Sequence, residues 1–244
     1  MTLHYFSDTP AEAQELLQRV EEQAQTVGLH MNSDKTKVMK YNENRDVPIR
    51  SLNGNNLERV TDFQYLGSWV DSSEKDIDIR KAKAWVACNR LNAIWTSKLP
   101  KKLKIRLFKA TVESVLLYGA ECWTLTKRLE QKLDGCYTRM LMRVQNMNWK
   151  QHHTLSEIYG NLPRVTSTIR SRRLQLAGHW YRRTDQIISK VLLWQPTQGK
   201  RKRGRPYLTY VDQIVKDTVL DTKQLSKSMS DQNKWKVIVN SVSG

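Results

Sequence analysis

Residues 100–117 read PKKLKIRLFKATVESVLL, and their spacing of apolar side chains is the clearest structural signal in the chain. Side chains that are apolar or small recur at steps of four, three, four and three, at Leu103, Leu107, Ala110, Ser114 and Leu117. Such steps keep these side chains on one face of an α-helix. Pro100 suits the start of a helix, because its fixed φ is compatible with the first turn. We therefore predict an amphipathic helix that begins near residue 100.

The same periodicity continues on both sides of this segment. Upstream, steps of four, three and four join Ala84, Cys88, Leu91 and Trp95. Downstream, helical patterns predict further helices at about 126–145, 164–183, 207–220 and 231–240. Two prolines and two glycines between residues 196 and 206 predict a loop at about 195–206. The chain beyond residue 71 is therefore predicted to be mainly helical.

The first 70 residues have a different pattern. Thr9-Pro10-Ala11-Glu12 is typical of a capped helix start, and Gly28 is a natural stop, which together predict a helix over residues 10–27. Residues 36–41, TKVMKY, alternate as in a strand, and Asn53-Gly54 is a strong hairpin signal. Residues 63–70, FQYLGSWV, predict another short strand. This part is α+β.

The net charge of +17 is divided very unevenly along the chain. Residues 1–80 carry 9 Lys and Arg against 14 Asp and Glu, a net charge of −5, whereas residues 81–244 carry 32 against 10, a net charge of +22. A strongly basic region attracts polyanions, and nucleic-acid phosphates are the commonest of these. The alternatives are a solvated surface or an anionic membrane, and we favour RNA or DNA as the partner.

Hydropathy and cysteine content predict an intracellular protein. No apolar run approaches the roughly 18 residues of a membrane span, and the N-terminus has no secretory pattern. Cys88, Cys122 and Cys136 are too few and too scattered for a disulfide framework, so we interpret them as small core residues. We expect a soluble protein of the nucleus or cytoplasm that does not associate with membranes.

Several segments together resemble the reverse transcriptases of non-LTR, LINE-type retrotransposons. GLHMNSDKTKVM at 28–39 and FQYLGSWV at 63–70 are similar to two late motifs of the palm domain, the second of which is the primer-grip hairpin. The segments that resemble the region after the palm are KIRLFKATVESVLLYGAECWTLTK at 104–127, RRLQLAGHWYRR at 172–183, GKRKRGRPYLTYVDQI at 199–214 and DQNKWKVIV at 231–239. The resemblance spans nearly the whole chain.

This resemblance implies an α+β fold made of three parts. Residues 1–72 correspond to a palm remnant with one helix and short antiparallel strands. Residues 73–150 correspond to a helical thumb, and residues 151–244 to a basic, helical C-terminal region. In the resembled enzymes these parts hold template and primer.

The polymerase chemistry of the family depends on a Tyr-Ala-Asp-Asp hairpin, whose aspartates bind Mg²⁺ in the intact enzyme. The hairpin would precede a stretch such as SDTPAEAQELL, but this sequence begins MTLHYFSDTP. We therefore expect no catalytic residue, metal ligand or cofactor in this chain, and expect it to bind nucleic acid without polymerising it.

The resemblance also assigns candidate binding residues in the first part. Lys35 matches the lysine that lies close to the departing pyrophosphate in the resembled enzymes, although it also fits a strand edge. Tyr65 and Gly67 match the primer grip, where glycine allows close approach of a nucleic-acid backbone. Tyr65 is equally suited to a protein core.

Two basic clusters lie further along the chain. Lys101, Lys102, Lys104, Arg106 and Lys109 occupy the start of a predicted helix, where the dipole disfavours positive charge and a phosphate partner would explain them. The second cluster consists of Arg201, Lys202, Arg203 and Arg205. Its Arg-Gly-Arg-Pro core resembles an AT-hook, which reads the minor groove of A·T-rich DNA. It also suits a nuclear localisation signal or a loop that follows phosphates, the interpretation we favour.

Two functions from different classes follow from these patterns. The first is a nucleic-acid-binding part of a retroelement reverse transcriptase. The alternative is a domesticated nuclear protein that uses its Arg-Gly-Arg-Pro segment to bind DNA or another protein. For the tryptophans near the basic residues, we favour core packing over base stacking, since Trp85 and Trp95 fall on or beside an apolar stripe.

Overall fold

A computed structural model describes residues 5–40, 47–65, 67–69, 72–148, 150–194 and 208–242. The chain forms two compact units, residues 1–71 and residues 72–244. Within this described part, the first unit contains one helix and four short strands, whereas the second unit contains helices and no strand. The expected α+β class is therefore confirmed at this coarse level.

The first unit begins with helix α1, Pro10–Thr26. Thr9 caps it, because its hydroxyl accepts a hydrogen bond from the Glu12 amide at 3.2 Å, and Gly28 follows its end with a φ of +74°. Strand β1, Lys37–Met39, pairs in parallel with β2, Glu58–Val60. Strands β3 (Gln64–Tyr65) and β4 (Ser68–Trp69) form an antiparallel pair. The segment predicted as one strand is thus a hairpin, since Gly67 adopts a φ of +85° in its turn.

The hairpin predicted at Asn53-Gly54 is confirmed. Gly54 has a φ of +78°, which only glycine adopts at little cost. The Leu57 amide donates to the Ile49 carbonyl at 2.9 Å, and the Ser51 amide donates to the Asn55 carbonyl at 3.0 Å. These bonds place residues 49–51 antiparallel to residues 55–57, just before β2.

The first unit has little hydrophobic core. Among its described apolar residues, only Ile49 and Leu57 are buried. Helix α1 buries Glu21, whose carboxylate accepts a hydrogen bond from the Leu52 amide at 2.8 Å. Large apolar side chains such as Phe6 and Leu29 remain exposed.

This difference predicts unequal local stability. We expect amides of α1 and β1 to exchange with deuterium at least tenfold faster than those of the long helices in the second unit, since few buried contacts oppose local opening. Hydrogen exchange of the full chain, followed by mass spectrometry, measures both units in one sample. Equal protection would show that the first unit has a stable core of its own.

The second unit is all helical within its described residues. Its helices are α2 (Ser73–Arg90), α3 (Asn92–Thr96), α4 (Lys101–Phe108), α5 (Ser114–Leu116), α6 (Lys127–Val144), α7 (Leu155–Tyr159), α8 (Val165–Tyr181), α9 (Ile187–Val191), α10 (Tyr210–Thr218), α11 (Thr222–Ser230) and α12 (Gln232–Val242). A π-helical turn, Lys109–Glu113, joins α4 to α5, and a 3₁₀ turn, Ala120–Cys122, follows. All the predicted helices are present. The predicted loop at 195–206 lies outside the described residues.

The stripe predicted for α4 to α5 was only partly correct: Leu117 is buried and Leu107 packs against the core, but the other three residues do not. Leu103, Ala110 and Ser114 from the predicted stripe are exposed. The buried face instead follows steps of four, through Lys104, Phe108, Val112 and Leu116. The π turn explains this shift, because its wider turn holds an additional residue and keeps steps of four on one side.

Two hydrophobic clusters stabilise the second unit, and α8 contributes to both. Val165 and Ile169 pack in the first cluster, with side chains from α2 to α7. Leu174 and Ala177 pack in the second, with side chains from α9 to α12. Trp95 is fully buried, as predicted, and Trp85 packs against the first cluster. The second cluster is covered by Trp235, whose indole Nε1 donates to the Leu174 carbonyl at 2.7 Å.

The prediction that all three cysteines lie in the core was only partly correct. Cys88 and Cys136 are buried, and burial raises the pKa of both thiols. Cys122 is exposed, because it ends the 3₁₀ turn at the surface beside buried Trp123.

A buried ion pair lies where the two clusters meet on α8. The guanidinium of Arg173 bonds the carboxylate of Asp217 on α10, and both side chains are almost completely inaccessible to solvent. Arg173 Nη2 also donates to the Trp123 carbonyl at 2.7 Å, and Gln213 donates to Asp217 at 3.1 Å. Gln213 in turn accepts from the Leu125 amide at 2.9 Å. These bonds fix α8, α10 and the segment before α6 to one another.

Candidate nucleic-acid interface

One face of α4 and the following π turn presents unpaired positive charge. Lys102, Arg106 and Lys109 are exposed and follow one another at steps of four and three, which places them on the same side of the helix. None of the three side chains makes a hydrogen bond or ion pair with another described residue. We call this surface, formed by Lys102, Arg106 and Lys109, the α4 basic face.

The other two lysines of the predicted cluster have different surroundings. Lys101 is exposed, and its ammonium group lies 3.4 Å from the Glu157 carbonyl oxygen. Lys104 is buried, and its ammonium group donates to the carbonyls of Trp95 at 2.6 Å and Ser97 at 2.8 Å. The prediction of Lys104 as a binding residue was therefore wrong. Its side chain closes the C-terminal end of α3 instead.

The electrostatics of α4 are unfavourable without an anion. Its first turn contains no acidic residue and no side-chain cap. Lys101 and Lys102 lie in this turn, where a positive side chain costs about 0.3–1 kcal/mol through the helix dipole, whereas Arg106 lies in the last turn, where the dipole favours it. A phosphate group close to this face would reverse that cost.

An open groove of about 350 Å³ adjoins the α4 basic face. Lys109 lines one side, and the polar side chains on α8 that line the other are Thr168, Ser171, Arg172 and Gln175. Arg172 also lies 3.9 Å from Glu121, beyond ordinary hydrogen-bond distance. Lysine, arginine, hydroxyl and amide groups are the usual donors to phosphate oxygens.

The most buried part of the groove holds one carboxylate and one phenol. The Tyr137 hydroxyl donates to Glu113 Oε2 at 2.6 Å, and both residues are buried. Burial, together with the adjacent Glu113 charge, raises the pKa of Tyr137 far above its ordinary value. The phenol therefore stays neutral and remains a hydrogen-bond donor to the carboxylate.

The remaining candidates are not brought together by the described structure. Lys35 is exposed in a turn before β1, and Gly67 lies in the β3–β4 hairpin with Tyr65 in β3. All three belong to the first unit. Arg201, Lys202, Arg203 and Arg205 lie outside the described residues.

The α8 side of the groove was missed in the sequence. Thr168, Arg172 and Gln175 recur at steps of four and three, so a polar stripe at helical spacing was visible. The apolar residues of α8 face two clusters in different directions, which hides the orientation of this stripe. Glu113 gave no signal, because an acidic residue in a basic helix suits a solvated position.

This sequence is similar to that of a transposon-derived protein of Caenorhabditis elegans. The two are 28% identical over 224 residues, which cover 85% of this chain and 79% of the relative. No family model and no solved structure matches the chain. The similarity extends over most of the length of both proteins.

The described residues lack two kinds of feature. None of their helices combines the length and apolar character needed to cross a membrane. Three or more His, Cys, Asp or Glu side chains do not converge anywhere among them as a metal site.

Proposed function

We propose that this chain binds nucleic acid through phosphate contacts on the α4 basic face. In this proposal the second unit acts as the thumb and basic C-terminal region of a non-LTR retroelement reverse transcriptase, and the first unit is a palm remnant. RNA or DNA is the partner, in the nucleus or cytoplasm.

The observation that carries the proposal is that Lys102, Arg106 and Lys109 lie unpaired on one helix face, next to a groove lined by further hydrogen-bond donors. Exposed lysines and arginines of a folded domain are often balanced by nearby acids, as Lys132 is by Glu74 and Asp78. The α4 basic face has no such partner among described residues. An external polyanion would supply one.

Charge and similarity support the same function. Residues 72–244 carry 34 Lys and Arg against 13 Asp and Glu, a net charge of +21. The relative named as transposon-derived favours a transposable-element origin for this chain. The motif at 104–127, which resembles retroelement sequences, contributes Arg106 and Lys109 of the α4 basic face, and the motif at 172–183 contributes Arg172 and Gln175 of the groove.

The test removes the three charges together, as Lys102→Ala, Arg106→Ala and Lys109→Ala. We expect affinity for any sequence to fall about tenfold or more, because several phosphate contacts are lost. The slope of log affinity against log salt should flatten by about 0.9 per lost duplex phosphate, or about 0.7 on single strands. Fluorescence anisotropy with labelled oligonucleotides at several salt concentrations measures both quantities.

The matched control removes the same charge elsewhere, as Lys223→Ala, Lys227→Ala and Lys236→Ala. These lysines are exposed on α11 and α12 and make no ion pair with described residues. We expect the control to change affinity and slope much less. Equal losses in the two variants would mean that total charge, rather than the α4 basic face, determines binding.

A further inference from the structure

The groove beside the α4 basic face contains a feature that phosphate binding does not explain. Glu113 carries a carboxylate inside a groove whose other charged lining residues are Lys109 and Arg172. A negative charge at this place repels phosphates. The carboxylate therefore needs a ligand group that donates a hydrogen bond.

The geometry leaves one oxygen of Glu113 available for such a donor. Oε2 accepts the Tyr137 hydroxyl at 2.6 Å. Oε1 has no hydrogen-bond partner among the described residues, and it is not sealed from solvent. Since Tyr137 holds the carboxylate in place, Oε1 is a fixed acceptor within the groove.

We propose that this groove binds the sugar–phosphate backbone of RNA, with Glu113 Oε1 accepting a hydrogen bond from a ribose 2′-hydroxyl. Lys109 and Arg172 then bind the adjoining phosphate, and Thr168 and Gln175 offer neutral donors to its oxygens. The 2′-hydroxyl is the group by which proteins distinguish RNA from DNA. The inference rests on the proposed function and adds its preference among nucleic acids.

The size of the groove suits this ligand. Its volume of about 350 Å³ accommodates the ribose and phosphate of one nucleotide, rather than a stacked duplex. Because the groove adjoins Lys109, a strand seated there continues along the α4 basic face.

The experiment compares three single strands of identical base sequence on the full chain. They are RNA, a strand with 2′-fluoro sugars and the 2′-deoxy strand. The 2′-fluoro sugar keeps the ribose pucker of RNA but cannot donate a hydrogen bond. We expect RNA to bind about tenfold more tightly than either other strand, because one hydrogen bond to a charged acceptor contributes a difference in affinity of about this size.

A conservative variant then assigns the preference to Glu113. Glu113→Gln retains an acceptor for Tyr137 and removes the negative charge, so the fold is preserved. We expect the RNA preference to shrink to about threefold or less while affinity for the deoxy strand stays equal or rises, because repulsion of phosphates is relieved. If Glu113 had only a structural role, Glu113→Gln would lower the affinity for all three strands equally.

Two outcomes would overturn the inference without contradicting the proposed function. One is equal affinity of the unaltered chain for RNA and the 2′-fluoro strand. The other is an unchanged RNA preference in Glu113→Gln. The proposed function fails separately, if removal of Lys102, Arg106 and Lys109 leaves the affinity of all strands unchanged.

Discussion

Replacement of Asp217 by Ala is expected to lower the free energy of unfolding by about 3–5 kcal/mol, because it leaves Arg173 charged, buried and without its partner. Arg173 is completely inaccessible to solvent, so water cannot replace the lost carboxylate. Gln213 loses an acceptor as well. Urea unfolding followed by tryptophan fluorescence measures the change, since buried Trp123 lies against Arg173.

Two control variants separate charge from packing at this position. Asp217→Asn keeps the size of the side chain and one acceptor, so it tests the loss of charge alone. The double variant Arg173→Met and Asp217→Leu removes both charges and should recover part of the lost stability. If Asp217→Ala unfolds at nearly the same urea concentration as the unaltered chain, the ion pair does not hold α8 to α10.

Replacement of Gly178 by Ala is expected to cost about 2–4 kcal/mol, because the added methyl group overlaps the Trp235 indole. The indole must move, and its hydrogen bond to the Leu174 carbonyl is then strained or broken. Trp235 covers the second hydrophobic cluster, so the packing of α12 against α8 weakens with it. Thermal unfolding by circular dichroism measures this loss.

Gly135→Ala is the matched control for this variant. Gly135 lies within α6, is exposed, and has open space where a methyl group would be added. Alanine should therefore leave stability unchanged or raise it by up to about 1 kcal/mol, through its better helix propensity. An equal loss at Gly135 and Gly178 would mean that Trp235 does not restrict position 178.

The sequence alone predicts the structure correctly where the signal depends on neighbouring residues. The caps at Thr9 and Gly28 and the turn at Gly54 depend on neighbouring residues, and all three are present. The register of α4 was not predictable in this way. It depends on a π turn and on a core into which Phe108 and Val112 pack, and both arise from tertiary contacts.

The register of α4 also determines which basic residues form the candidate site. A basic cluster is visible in the sequence, but its division between core and surface follows from the register. Lys104 joins the buried face, whereas Lys102 and Arg106 remain outside. The groove forms because α8 lies close to the π turn. This contact joins residues about 60 apart in sequence, so no local pattern predicts it.

Lysine acetylation of the full chain, with and without saturating RNA, identifies the lysines that contact nucleic acid. Modification at each lysine is measured by mass spectrometry, with Lys104 as an internal control because its buried amine reacts slowly in both samples. We predict that RNA protects Lys102 and Lys109 severalfold, while Lys223 and Lys227 react as before. Protection of Lys223 and Lys227 with Lys102 and Lys109 unchanged would contradict the α4 basic face as the binding surface.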